Sequence, residues 1–103
     1  MMMAMLDEHA VALSLQRALL GAVTPNLRAV SFRIARGTVF VDFVYDGEPG
    51  PEETECAQIS VSELISDFPH ADAIESIRRL DAPEAVPATG GRLVFARREP
   101  PQP

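Results

Sequence analysis

Leu27 to Tyr45 is the stretch that most narrows what this chain can fold into. Val30, Phe32 and Ile34 alternate with Ala29, Ser31 and Arg33, and Val39, Val41, Phe43 and Tyr45 resume the alternation beyond "ARGT" (Ala35 to Thr38). A period of two is that of a half-buried strand, and a Gly-containing connection this short turns the chain straight back on itself. Leu27 to Tyr45 therefore reads as a β-hairpin.

The segments on either side have a different period. Leu6, Ala10, Leu13, Arg17 and Leu20 follow one helical spacing, widened by Val11, Leu15 and Leu19, with Asp7 and Glu8 suited to a helix start. Gly21 and the Thr24-Pro25 pair end it. After the hairpin, "DGEPGP" (Asp46 to Pro51) carries turn chemistry, and Pro51 suits a first helical turn. Ala57, Val61, Leu64, Ile65 and Phe68 then recur at helical spacing until Pro69. Ile74 to Leu80 and Arg92 to Arg98 read as two further strands, separated by the Pro- and Gly-containing "DAPEAVPATGG".

The order is α-β-β-α-β-β. The simplest arrangement that buries every apolar stripe is an α+β two-layer sandwich, with two helices on one face of a four-stranded, mostly antiparallel sheet. Residues 1–98 are expected to form a single domain, with residues 1–5 frayed and 99–103 a disordered Pro-rich tail. In the second strand Phe40 and Val44 lie opposite Val41, Phe43 and Tyr45. If helices cover one face only, Phe40 and Val44 belong to the open face, where they offer a possible second contact surface or a weak homodimer contact.

Chemistry is scarce. At 103 residues the chain buries roughly 60 to 65% of its unfolded surface, enough for one core but not for a deep cleft. His9 and His70 are the only histidines, read as an exposed helix residue and a turn residue. Cys56 is the only cysteine, which leaves no intrachain disulfide and no thiol metal cluster. It sits beside carboxylates, which weaken a thiol as a nucleophile, and reads as a buried structural residue. No phosphate loop, cofactor motif or metal-ligand spacing occurs, and no segment has the run of apolar residues that a membrane span needs. An enzyme is not expected.

Charge is more informative. The formal net charge is -6, and all nine cations are arginine. Direct nucleic-acid binding is disfavoured, because phosphate contacts need clustered cations. Residues 41–84 hold twelve acids against Arg78 and Arg79 only. Glu52, Glu53 and Glu55 suit the positive end of a helix dipole. That leaves Asp46 and Glu48 stacked ahead of them in a loop, where like charges repel. Asp46, Glu48, Glu52, Glu53 and Glu55, extended by Glu63 and Asp67 along the helix, are the candidate contacts for a basic protein partner.

Four segments add a resemblance: "TPNLRAVSF" (Thr24 to Phe32), "VDFVYDGEP" (Val41 to Pro49), "ISDFP" (Ile65 to Pro69) and "RRLDAPEAVP" (Arg78 to Pro87). In this order they resemble immunity proteins of bacterial contact-dependent growth inhibition and other polymorphic toxin systems. The similarity runs from about Ala18 to Arg98, through turns and core positions. It implies a cytoplasmic, non-enzymatic inhibitor of the toxic C-terminal domain of a large secreted effector. Many such toxins are nucleases with basic clefts, so a tRNase or other RNase ranks first and a DNase second. The alternative is an adaptor module that self-associates through the open sheet face.

Overall fold

The computed structural model describes residues 6–87 and 91–100. Its elements are α1 (Glu8–Ala18), β1 (Leu27–Ala35), β2 (Thr38–Tyr45), α2 (Pro51–Asp67), β3 (Asp72–Arg79) and β4 (Arg92–Ala96). The expected α+β order holds. The sheet runs β3-β2-β1-β4, with β1 antiparallel to both β2 and β4 and β2 parallel to β3. It is thus mixed, and the parallel pair follows from α2, which carries the chain back to the starting end of the sheet before β3 begins.

The hairpin closes through Arg36 and Gly37, whose φ angles of 52° and 78° both lie in the left-handed region. Such a two-residue loop matches the natural twist of paired strands. From it the register runs from Ala35↔Thr38 to Ala29↔Val44, then shifts, so that Leu27 pairs with Tyr45 and Arg28 becomes the extra residue of a bulge.

Val30, Phe32, Val39, Val41, Phe43 and Tyr45 meet Val11, Leu15, Ala57, Val61 and Leu64 in one core. In α1 the structure corrects the expected face. Asp7 caps the helix by accepting the His9 N–H at 3.1 Å, and the buried row is Val11, Leu15, Ala18 and Leu19. Leu13 is exposed, and Leu20 lies beyond the helix with 80% of its surface in water. The cause is packing on two sides at once. The buried sector must face both the sheet and α2, where Ser14 and Ala18 meet a helix whose own buried residues include Ala57 and Ser60. The Ser60 hydroxyl donates to the Cys56 carbonyl at 2.9 Å and lies 3.4 Å from the Ala18 carbonyl.

On the strands, β3 begins at Asp72 and β4 stops at Ala96, against the expected Ile74 to Leu80 and Arg92 to Arg98. In α2, Ile65 is exposed where burial was expected, and Cys56 is half-buried, not sealed in the core. Gly91 opens β4 where a Cβ would come within 2.9 Å of the Phe32 carbonyl oxygen, so only glycine fits without displacing backbone. The expected frayed residues 1–5 and the end of the tail, 101–103, lie outside the described residues. Glu99, assigned to that tail from sequence, is tied to Arg28.

Candidate partner-binding surface

The seven carboxylates singled out from sequence do not all stand alike once folded. Asp46 follows β2, with its backbone N–H donating to Asn26 O at 2.8 Å. One carboxylate oxygen accepts the Ala82 N–H at 3.3 Å and the other accepts from Arg97 Nη2 at 3.1 Å. Gly47 next to it turns the chain at φ 82°, and its N–H donates to Asp81 Oδ1 at 2.7 Å. Asp81 is also forked by Arg79, at 2.9 and 2.8 Å. Arg79 first, and then the Gly47 N–H, pull the Asp81 carboxyl down to about 2. Glu48 stands 3.7 Å from Arg79 and is 81% exposed, a loose pair at most.

Glu53 is engaged in the start of α2. Its Oε1 accepts the Gly50 N–H at 3.1 Å, and its Oε2 accepts from the Thr24 hydroxyl at 2.8 Å. This is the helix-start arrangement in which a third-position acid reaches back to an orphan N–H. The Tyr45 hydroxyl donates to the Glu53 carbonyl at 3.3 Å. Burial, with the Glu53 charge second, pushes the Tyr45 phenol up to about 12. At the far end of α2, Asp67 accepts from the Ser14 hydroxyl at 2.7 Å and pairs with Arg17 at 3.4 Å. With Glu63 and Ser66 these residues line a shallow groove of about 270 Å³ between the helices.

Glu52, Glu55 and Glu63 remain. They are exposed and have no ion-pair or hydrogen-bond partner among the described residues. Their spacing of i, i+3 and i+11 puts them on one outward ridge of α2, with the exposed Ile59 between them at i+7. The structure thus separates the group. Glu52, Glu55 and Glu63 form a free acidic ridge; Asp46, Glu53 and Asp67 are bound into the fold beside it; Glu48 lies in between.

Sequence reasoning did not single out the cations that do this binding. Arg28 is buried, with 2% of its side chain exposed, and forks onto Glu99 at 2.7 and 2.8 Å while donating to the Leu80 carbonyl at 2.7 Å. Arg28 first, and Arg97 after it, hold the Glu99 carboxyl down to about 2, and the same hydrogen bonds raise Arg28. A signal was available. Arg79-Leu80-Asp81 and Arg97-Arg98-Glu99 each place an arginine two residues before an acid, the spacing that puts both on one side of extended chain.

The other sheet face carries Phe40, Ser31, Ser76 and the ion pair Arg78–Asp42, closed at 3.0 Å. Val44 is 2% exposed, so of Phe40 and Val44 only Phe40 meets solvent. The Arg33 guanidinium lies 4.1 Å from the Phe40 ring centroid. Ile74 and Leu93 nearby are 53% and 57% exposed, and a shallow depression of about 310 Å³ opens among Arg33, Phe40, Ile74 and Gly91.

His9 and His70 are exposed, and no group of three or more His, Cys, Asp or Glu side chains among the described residues is placed to hold a metal ion. No described helix is long and apolar enough to cross a membrane. A family model described as "MafI2 immunity protein" matches residues 8–99. No curated protein matches the chain.

Proposed function

Because the chain belongs to the MafI2 immunity protein family, we propose that it neutralises its cognate toxin domain in the cytoplasm by stoichiometric binding, without turnover, and that this toxin is a nuclease. The observation that carries the reading of the surface is the ridge of α2: Glu52, Glu55 and Glu63 are exposed, and none of them is in an ion pair among the described residues. A nuclease cleft is basic because it must hold phosphates. An acidic ridge complements such a cleft in charge, and Ile59 within the ridge supplies an apolar anchor of the kind found at interface centres. An RNase, and a tRNase in particular, ranks ahead of a DNase.

Glu48, exposed and loosely paired, is placed to join the contact. Asp46, Glu53 and Asp67 belong to the same surface and contribute their field more than direct contacts, since their oxygens are already occupied. The experiment is combined reversal of Glu52, Glu55 and Glu63 to Lys, a set that leaves the cap and the ion pairs intact. Association with the toxin domain is expected to slow by about tenfold or more at low salt, with a weaker salt dependence. Wild-type association kinetics in a variant with native circular dichroism would remove the ridge from the interface.

A second reading, self-association through the open sheet face, is favoured by Ile74 and Leu93 standing exposed around Phe40. Sedimentation decides it. A wild-type dimer that becomes monomeric on Phe40→Asp supports self-association, and a monomer in both cases excludes it.

A further inference from the structure

The loop that leads into α2 is held from behind by a relay of charges that starts in the protein interior. Arg28, made available by the β1 bulge, is buried and forks onto Glu99. Glu99 in turn accepts from Arg97 Nη2 at 3.0 Å and Nε at 3.2 Å. Arg97 also donates to the Pro25 carbonyl at 2.9 Å and reaches Asp46 at 3.1 Å. Asp46 accepts the Ala82 N–H, and Asp81 accepts the N–H of Gly47. The segments after β2, β3 and β4 are thereby joined at one corner of the fold.

We propose that Arg28 and Glu99 are positioning residues for the partner surface, locking Arg97 onto Asp46 so that residues 46–50 hold Glu48 and the first turn of α2 in one orientation. This rests on reading the acidic surface as the partner-binding face. Exposed ion pairs alone do not fix a loop, because each contributes little and is screened by salt. The difference here is the buried, bidentate end of the relay. The Arg28 guanidinium fills three of its donor positions with Glu99 and Leu80, so it has one favoured geometry, and Glu99 and Arg97 inherit it. A surface set in advance loses less freedom on binding, which favours tight association. On this view the chain just past β4 contributes to partner affinity without touching the partner.

The test is amide hydrogen exchange on the full chain at neutral pH. Glu99→Gln alone strands a buried cation and risks unfolding, so the decisive variant is Arg28→Met with Glu99→Gln, which removes both charges together. The expected result is exchange at the Gly47 and Ala82 amides accelerated on the order of tenfold, with the Val41 and Phe43 amides in the centre of the sheet unchanged. Unchanged rates at Gly47 and Ala82 overturn the proposal, and so does an equal acceleration across the whole sheet, which marks a general loss of stability. No partner is present in this measurement. A negative result therefore removes the relay and leaves the α2 ridge standing, whereas failure of the charge-reversal experiment removes the partner-binding premise and leaves only the ordering of residues 46–50 by the relay.

Discussion

Asp81 and Glu99 are carboxylates made strongly acidic by the arginines beside them, each brought to about 2 from the ordinary carboxylate value near 4. Between these values the unfolded chain binds protons that the folded chain refuses, so stability rises with pH across that window. Their contribution is fully present above about pH 5 and is lost as the pH falls toward 2. Urea unfolding of the wild type should therefore show a midpoint that falls progressively from pH 5 to pH 2. In the Arg28→Met, Glu99→Gln variant the part of that slope due to Glu99 should be missing. A variant slope equal to that of the wild type would show that Glu99 gains no net stability from its ion pairs.

At the scale of elements, the orientation of α1 is set by two neighbours at once. Leu15 is fully buried against the sheet, whereas Leu13, two residues earlier, points into solvent. Leu15→Ala should cost about 2–5 kcal/mol, the range for emptying a packed core position. Leu13→Ala should stay within roughly 0.5 kcal/mol of wild type, as surface changes do. Chemical denaturation of the two variants distinguishes this face from the one centred on Leu13 that spacing alone suggests. The same two-sided packing accounts for the small buried residues Ser14, Ala18, Ala57 and Ser60 between the helices. Side chains of this size let the two helices approach closely while both remain on the sheet.

Over the whole molecule, charge is sorted by the fold. Arg17, Arg28, Arg78, Arg79, Arg92 and Arg97 each find a carboxylate. The internal pairs engage Asp42, Asp46, Glu48, Asp67 and Asp81 of the acidic middle of the chain, and among the described residues Glu52, Glu55 and Glu63 on the ridge of α2 are left without an ion pair. The field that such a ridge projects acts mainly on the rate of encounter. For this reason the charge-reversal variant is expected to differ from wild type chiefly in its association rate. The open sheet face is different in character, with its carboxylate Asp42 tied to Arg78 and its apolar groups beside Arg33. The ridge lies on the helix layer, and this face on the opposite side of the sheet.

The sequence by itself determined the hairpin, the order of elements and the two-layer packing, because these depend on local periodicity and on where Gly and Pro interrupt it. It also located the acidic segment, since composition is fixed before folding. Only the tertiary structure decided which of those acids are free. Asp46 and Arg97 are 51 residues apart in the chain, and Arg28 and Glu99 are 71, separations at which no local rule reports a contact. The parallel placement of β3 and the buried side of α1 were settled in the same way, by elements packing on one another. Loop charges that look like an excess along the chain prove in part to be paired across it, and the candidate site narrows from seven carboxylates to the ridge where pairing stops.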